Sequence, residues 1–169
     1  MKTLGLFLLR IKDYLMSQVL RDFGSPGNLE GHMYTGDVPI KNWTSNFSEE
    51  MAEALTGSTL TERFLTRTGT CAYCAVACKR VVKVDDGPFA IPEGPGPEYE
   101  TVAGCGSNIG IFNPPDIIEL NFYCDTYGID SISFATVSYT HLRAHETPEH
   151  LVCRLLLEKK KEYSTYHQY

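Results

Sequence analysis

Residues 70–81 read TCAYCAVACKRV and place three cysteines, Cys71, Cys74 and Cys78, within eight positions. Thiolates are soft ligands that select zinc, copper(I) or iron-sulfur clusters, and this spacing lets three sulfurs converge without long-range folding. In a helix the sulfurs would share one stripe, and in a turn the small alanines between them would leave room for a cluster. Zinc sites more often pair two Cys-x2-Cys hooks, and no second hook follows, so the triplet favours iron-sulfur. The ordinary alternative is three buried free thiols.

The composition limits the class of protein. The 169 residues are 43% hydrophobic and 21% charged, which is typical of a globular protein that forms a core. A net charge of −6 argues against nucleic acid as a partner, because phosphate binding needs a basic surface. No run approaches the ~20 apolar residues that cross a bilayer, so we expect no membrane segment. Six cysteines at metal-like spacing suit a reducing compartment, and we expect a cytoplasmic protein.

The hydrophobic pattern predicts a mainly α fold with long Gly/Pro-rich loops and little strand. Cap-like spacings begin the helices, and glycines stand where the longest of them should end. The predicted elements are a helix over residues 4–23 ending at Gly24, a loop over 24–43, helices near 48–56 and 60–67 with caps at Asn46 and Thr59, a short strand at Val81, Val82 and Val84, and a helix from Asn113 to Gly128 with an apolar stripe of Ile117, Leu120, Cys124 and Tyr127.

The composition changes near Val137. All 14 glycines lie at or before Gly128, whereas four of the five histidines lie at or after His141. The residues after Val137 therefore form a different kind of sequence from those before it.

Three blocks in order match one known family. They are TCAYCAVACKR at residues 70–80, PEYETVAGCGSNIGI at 97–111 and NFYCDTYGIDSIS at 121–133. Together they resemble the tungsten- or molybdenum-pterin aldehyde ferredoxin oxidoreductases, and NLEGHMYTGDVPIKNW at 28–43 is similar to the loop that precedes the cysteines in that family. The resemblance covers residues 20–136 and implies a fragment of the helical domain of a larger enzyme.

The resemblance implies that Cys71, Cys74 and Cys78 are three of the four thiolate ligands of a 4Fe-4S cluster. The fourth cysteine of the family is expected far downstream of this chain. A local substitute is the alternative, with Cys105 as its candidate, and Cys105 is otherwise a small buried side chain. Cys124 does not stand at the family's fourth position either.

The same resemblance implies a pterin site and a catalytic carboxylate. Residues 125–130, DTYGID, match the family's first pterin motif with Ile129 in place of leucine, which assigns Asp125, Gly128, Ile129 and Asp130 to cofactor binding. A helix that ends at a glycine frees carboxylates and backbone groups to accept from pterin N–H donors. In the PEYET block, Glu100 is the expected active-site glutamate and Glu98 is its alternative.

The tail from Ser138 resembles translated sequencing-adapter DNA. We therefore expect a partial helical domain of aldehyde ferredoxin oxidoreductase type over residues 1–137 and an artefactual tail over 138–169. The alternative for the tail is a metal site made by His141, His145, His150 and Cys153, whose spacings could lie along a helix.

The function that the resemblance implies is oxidation of a small aldehyde to a carboxylic acid. It would use a tungsten or molybdenum bis-pterin and a 4Fe-4S cluster, with electrons passing to ferredoxin. We expect the fragment to be inactive alone, because a partial site lacks the preorganised surroundings of the chemistry. The intact enzyme could be a homo-oligomer. The alternatives are a related acyl-thioester oxidoreductase subunit and a non-catalytic iron-sulfur or zinc-binding module.

Overall fold

The structure is a computed structural model that describes residues 2–85 and 90–144. Its described part is mainly helical with one small sheet, which confirms the predicted fold class. No helix among these residues is long and apolar enough to span a membrane. The helices are α1 (Lys2–Asp13), α2 (Leu15–Phe23), α3 (Leu29–Thr35), α4 (Glu49–Ala54), α5 (Gly57–Phe64), α6 (Tyr99–Thr101), α7 (Pro114–Tyr127) and α8 (Ser131–Ala144), and the strands are β1 (Leu65–Gly69), β2 (Lys79–Val84) and β3 (Ile91–Pro95).

The amino-terminal segment forms two helices, so the prediction of one continuous helix over residues 4–23 is wrong at Tyr14. Tyr14 adopts an extended conformation, with φ −70° and ψ 131°, between α1 and α2. Asp13 is unfavourable at the negative end of a helix, and both Asp and Tyr are weak helix formers. The predicted end is confirmed, because the Gly24 N–H donates to the carbonyl of Leu20 at the end of α2.

The predicted loop over residues 24–43 contains a helix that was not predicted. A short 3-10 turn, Ser25–Asn28, leads into α3. Leu29 and Met33 are four residues apart and fully buried, so one face of this short helix packs into the core. Gly36 ends it in the left-handed conformation with φ 78°.

The two predicted short helices are present as α4 and α5, but each begins at a different cap. The Ser48 hydroxyl accepts from the Met51 N–H, and the Thr56 hydroxyl accepts from the Thr59 N–H. The predicted caps Asn46 and Thr59 are therefore wrong. Serine and threonine at these positions satisfy the otherwise unpaired N–H groups of the first helical turn.

The sheet has three antiparallel strands in the order β1-β2-β3. The predicted strand at residues 81–84 is confirmed as β2, whereas β1 and β3 were not predicted. Side chains alternate along β2, and Arg80, Val82 and Val84 are buried. The cysteine loop, residues 70–78, joins β1 to β2 and projects from the end of this hairpin.

The helices after the sheet carry the second and third family-like blocks. α6 continues into a π-helix, Val102–Asn108, which is mostly buried. The prediction of α7 is confirmed, with Gly128 in the left-handed conformation at its end. The Asn113 side chain does not cap α7 and donates instead to the Asp116 carboxylate at 2.9 Å. Tyr127 is 71% exposed, so it does not belong to the predicted apolar stripe.

One hydrophobic core joins the helices to the sheet. Its fully buried members come from α3, α4, the π-helix and α7, as with Met33, Met51, Val102 and Ile117, and from the loops that carry Val38, Ile40 and Leu55. The chain divides into two units, Met1–Thr136 and Val137–Tyr169. The core belongs to the first unit.

Candidate functional site

The cysteine loop is a turn rather than a helix. Cys71 and Cys74 are exposed and Cys78 is half-buried, so the alternative of three buried thiols is wrong. The Cys74 N–H donates to the Cys71 carbonyl at 3.1 Å, and the Thr70 hydroxyl donates to the carbonyls of both cysteines at 3.1 and 2.9 Å. The threonine thus closes the Cys-x2-Cys turn from outside.

The backbone of this loop is held in an uncommon conformation. Tyr73 and Ala77 both have left-handed φ angles, 59° and 60°, although neither is glycine. For such residues this conformation costs about 1–2 kcal/mol each. The result is a loop whose amides turn inward: hydrogen bonds from the Val76 and Ala77 N–H groups lower the pKa of Cys74.

The pKa of Cys78 depends on its burial and on the charges around it. Burial raises the pKa of Cys78, followed by the Glu98 carboxylate and then by the thiolates of Cys74 and Cys71. The three sulfurs therefore lie within electrostatic range of one another. Repulsion between neighbouring thiolates is relieved when they bind the same cation, so a group of thiols this close together is suited to metal ligation.

The donor set of the loop fits an iron-sulfur cluster in its chemistry, with three thiolates and amide N–H groups directed at one sulfur. Among the described residues, however, no group of three potential ligands already converges at metal-binding distance. A cluster bound here would therefore draw Cys71 and Cys74 in from the solvent.

A cavity of about 470 Å³ lies between β2 and the ends of α7 and α8. Four carboxylates line it, those of Glu98, Glu100, Asp125 and Asp130. These are both predicted catalytic candidates and the two acids of the predicted pterin motif. β2 contributes its first two residues, so the cavity begins directly after Cys78.

The two glutamates differ in their surroundings. The Ser25 hydroxyl donates to the Glu98 carboxylate and accepts from the Tyr99 N–H at 2.8 Å, which ties Glu98 to the turn before α3. Glu100 is exposed, and within the described part of the chain its carboxylate has no hydrogen-bond donor. Glu100 is therefore the glutamate whose lone pairs are free in the cavity.

Two contacts hold the segment that follows Glu100 against the segment that follows Asp130. The hydroxyls of Thr101 and Ser131, the residues that follow these two acids, are hydrogen-bonded at 2.8 Å. One turn later, a Cβ added at Gly104 would lie 2.9 Å from the Cβ of Ala135, so glycine permits the π-helix to approach α8. The close packing of these segments sets the spacing of the cavity walls.

The pterin-motif residues divide into two groups. Gly128 and Ile129 form the turn after α7, in which the Ile129 N–H donates to the Cys124 carbonyl at 2.8 Å, and neither lines the cavity. Asp125 accepts from the Asn121 amide at 3.3 Å. Asp130 accepts from the Ser133 N–H at 2.8 Å, and the pKa of its carboxyl is lowered first by the Ser133 hydroxyl and then by this N–H. Both carboxylates keep further lone pairs that fit N–H donors of a pterin.

Cys105 and Cys124 are buried free thiols. Cys105 lies in the π-helix with its sulfur 4.0 Å from the Ser131 carbonyl. Burial, and secondarily Cys124, raises the pKa of the Cys105 thiol to about 12. A thiol with so high a pKa resists the deprotonation that metal ligation requires, so these surroundings suit a packing role.

Of the alternative metal ligands in the tail, only His141 is described, and it contacts the Val137 carbonyl at 3.0 Å. His145, His150 and Cys153 lie outside the described residues.

Sequence reasoning missed five polar residues of the cavity, which are Lys79, Arg80, Thr101, Asn121 and Ser131. Asn121 is buried and donates to the Pro95 carbonyl at 3.0 Å as well as to Asp125. A signal for Arg80 was present, because strand alternation places it on the face of Val82 and Val84. Asn121 lies one helical turn before Asp125, which is the spacing of side-chain pairs.

Comparison with known proteins agrees with these blocks. Residues 8–147 match the family described as aldehyde ferredoxin oxidoreductase, domains 2 and 3. The chain belongs to the aldehyde ferredoxin oxidoreductase family. The match continues past residue 137 and ends at 147, so it includes the first residues of the tail that we predicted to be artefactual. The boundary itself stays a prediction.

Relatives in this family are much longer than the chain. The chain is 36% identical over 98 residues to the tungsten-containing aldehyde ferredoxin oxidoreductase of Thermococcus kodakarensis, which is 58% of this chain and 15% of that protein. It is 32% identical over 111 residues to the Pyrococcus furiosus protein of the same name, and the match covers 66% of this chain and 18% of that protein. The chain is 28% identical over 119 residues to the aliphatic sulfonate oxidoreductase, WOR-like subunit, of P. furiosus. This match covers 68% of the chain and 18% of that protein. The chain thus spans less than a fifth of these relatives.

Proposed function

We propose that this chain carries the cluster loop and one wall of the active centre of an enzyme that oxidises small aldehydes to carboxylic acids. The observation that carries the proposal is the cavity in which Glu98, Glu100, Asp125 and Asp130 meet, beside the strand that follows Cys78. Four carboxylates in one concave site suit both proton transfer and the binding of N–H donors.

Oxidation of an aldehyde to an acid adds one water oxygen and releases two electrons and two protons. A bound tungsten or molybdenum pterin would supply the acceptor for the two electrons. Glu100 takes the proton from the attacking water, because its carboxylate faces the cavity without a competing donor in the described residues. Glu98 is less suited to this role, since Ser25 already donates to it.

The remaining site residues have a binding role in this proposal and take no part in the proton transfer. Asp125 and Asp130 line the cavity and would accept hydrogen bonds from a bound pterin ring, and Gly128 with Ile129 forms the turn between them. Cys71, Cys74 and Cys78 would hold a 4Fe-4S cluster, which would supply one-electron transfer toward ferredoxin. The hydrogen bonds from the Val76 and Ala77 N–H groups lower the pKa of Cys74, which favours the thiolate that this ligation needs. The chain alone is inactive in this proposal, because less than a fifth of the relatives' length is present.

The test uses a full-length relative that carries these three blocks. The glutamine variant at the Glu100 position should lower kcat about 100-fold while metal and pterin content stay unchanged, because a positioned base contributes at least that factor. The control is glutamine at the Glu62 position, an exposed residue of α5 outside the cavity. A Glu100 variant within threefold of the parent, together with a large loss in the Glu98 variant, would transfer the role to Glu98.

A second candidate activity is oxidation or reduction of an aliphatic sulfonate, favoured by the 28% identity over 119 residues to the P. furiosus subunit of that name. An acyl-thioester substrate is a further option within the same family. The full-length relative distinguishes these activities directly when it is assayed with an aldehyde, a sulfonate and an acyl thioester. Zinc uptake in place of iron and sulfide would instead favour a non-catalytic module.

A further inference from the structure

Arg80 is a buried cation with incomplete hydrogen bonding. Only 8% of the residue is exposed, on the inner face of β2. Its Nη2 donates to the carbonyls of Leu20, at 3.3 Å, and Arg21 at the end of α2. Its Nε and Nη1 have no protein partner. Leaving such donors unpaired in the interior costs about 1–3 kcal/mol each, so a further acceptor is expected beside them.

A third unpaired buried atom belongs to a residue that lines a cavity together with Arg80. Within residues 2–85 and 90–144, the buried side-chain oxygens and nitrogens without a partner are those two nitrogens and the Thr61 hydroxyl of α5. Thr61 and Arg80 both line one small cavity, whose other walls are apolar side chains such as Leu60 and Val82. Its volume is about 10 Å³. The two residues that carry the unpartnered polar atoms therefore border one small space between α5 and β2, and Arg80 also borders the larger cavity.

We propose that a single ordered water occupies this cavity, accepting a hydrogen bond from the Arg80 guanidinium and bonding to the Thr61 hydroxyl. The volume is that of about one water, whose binding needs roughly 10–15 Å³ and two to four polar partners. A larger anion does not fit in this volume. No carboxylate within 4.0 Å of Arg80 competes for these donors among the described residues, where the ion pairs involve other residues.

The water has a structural consequence for the cysteine loop. Arg80 lies two residues after Cys78. Its own carbonyl accepts from the N–H of Gly96, two residues before Glu98, at 2.9 Å. Through its side chain Arg80 already joins β2 to α2, and the water adds α5. Arg80 is thus a positioning residue that fixes the strand between the cysteine loop and the cavity.

The site is tested in the full 169-residue chain by a high-resolution crystal structure and by NMR of the Arg80 Nε–H. We expect a density peak within hydrogen-bond distance of Thr61 Oγ1 and an Arg80 nitrogen, and a cross-relaxation signal between the Nε–H and water. Thr61→Val removes one partner without changing the size of the side chain and should abolish the peak, whereas Thr61→Ser should keep it.

Stability gives an independent readout. Thr61→Val should lower Tm by about 2–4 °C relative to Thr61→Ser, because a buried polar network loses a member. The control is Thr126→Val on α7, whose exposed hydroxyl bonds the Phe122 carbonyl within its own helix and should shift Tm by less. An empty cavity in the parent structure, or an Arg80 Nη1 bonded directly to a protein acceptor, would overturn the proposal.

Discussion

Replacement of Gly57 by alanine should destabilise the fold at the turn that supports the candidate site. A Cβ added at Gly57, in the first turn of α5, would lie 2.5 Å from the Gly27 nitrogen, 2.7 Å from the Gly27 Cα and 2.8 Å from the Phe23 carbonyl oxygen. All three contacts are with backbone, so no side chain can rotate away. The turn that must move carries Ser25, which binds Glu98 and the Tyr99 N–H.

The magnitude follows from two opposing effects. Overpacking of a close contact costs about 1–3 kcal/mol. Alanine regains at most ~1 kcal/mol of helix propensity over glycine, and less in the first turn of a helix. We therefore expect a net loss of about 1–2 kcal/mol in the free energy of unfolding for Gly57→Ala.

Gly31→Ala is the matched control. Gly31 lies exposed inside α3, and a Cβ added there meets nothing within 4 Å. This variant should gain about 0.5–1 kcal/mol from helix propensity alone. Urea denaturation followed by circular dichroism measures both variants, with unchanged m-values as the sign that only the native state is affected. A Gly57→Ala chain as stable as the parent would refute the close contact between α5 and the turn.

Three further predictions concern individual side chains. Cys105 has a pKa of about 12 in the fold against 9.0 for an unperturbed cysteine thiol, so stability is lost as pH rises above 9. Between pH 8 and pH 10 the free energy of unfolding of the parent should fall by ~1.4 kcal/mol more than that of Cys105→Ala. Equal pH profiles of the two chains would contradict this. Mass spectrometry after iodoacetamide treatment at pH 8 should find Cys74 modified well before Cys105, because hydrogen bonds lower the pKa of Cys74 and burial raises that of Cys105; simultaneous modification would be inconsistent with the structure. Ser25→Ala should cost about 1 kcal/mol in urea denaturation, since both Glu98 and the Tyr99 N–H lose a partner, and a neutral effect would show that these contacts are not made in solution.

Sequence reasoning worked where the signal is local. The helix that ends at Gly128 and the strand at Val81 to Val84 follow from periodicity and a left-handed glycine. The second and third family-like blocks contain the four carboxylates that share one cavity. α3 was missed because its seven residues include Gly31 and lie among other glycines and a proline, a composition typical of a loop. Only burial of Leu29 and Met33 in the tertiary fold makes it a helix.

Other features depend on contacts that no local pattern contains. The break at Tyr14 has no glycine or proline to mark it. The difference between Glu98 and Glu100 depends on Ser25, which is 73 residues earlier in the chain than Glu98. Arg80 likewise finds its acceptors at Leu20 and Arg21, about sixty residues away. Such pairings become visible only when the sheet and the helices have been assembled.

The cluster is the central claim, and iron and sulfide content of the reconstituted chain tests it most directly. The chain is incubated anaerobically with iron, sulfide and a small thiol that can serve as the fourth ligand, in parallel with Cys74→Ser and with Cys105→Ser and Cys124→Ser as buried-cysteine controls. We predict up to ~4 iron and ~4 sulfide per chain in the parent and in both controls, and a large loss in Cys74→Ser. Unchanged iron and sulfide in Cys74→Ser, or uptake of zinc alone by the parent, would contradict the assignment of the cysteine loop to an iron-sulfur cluster.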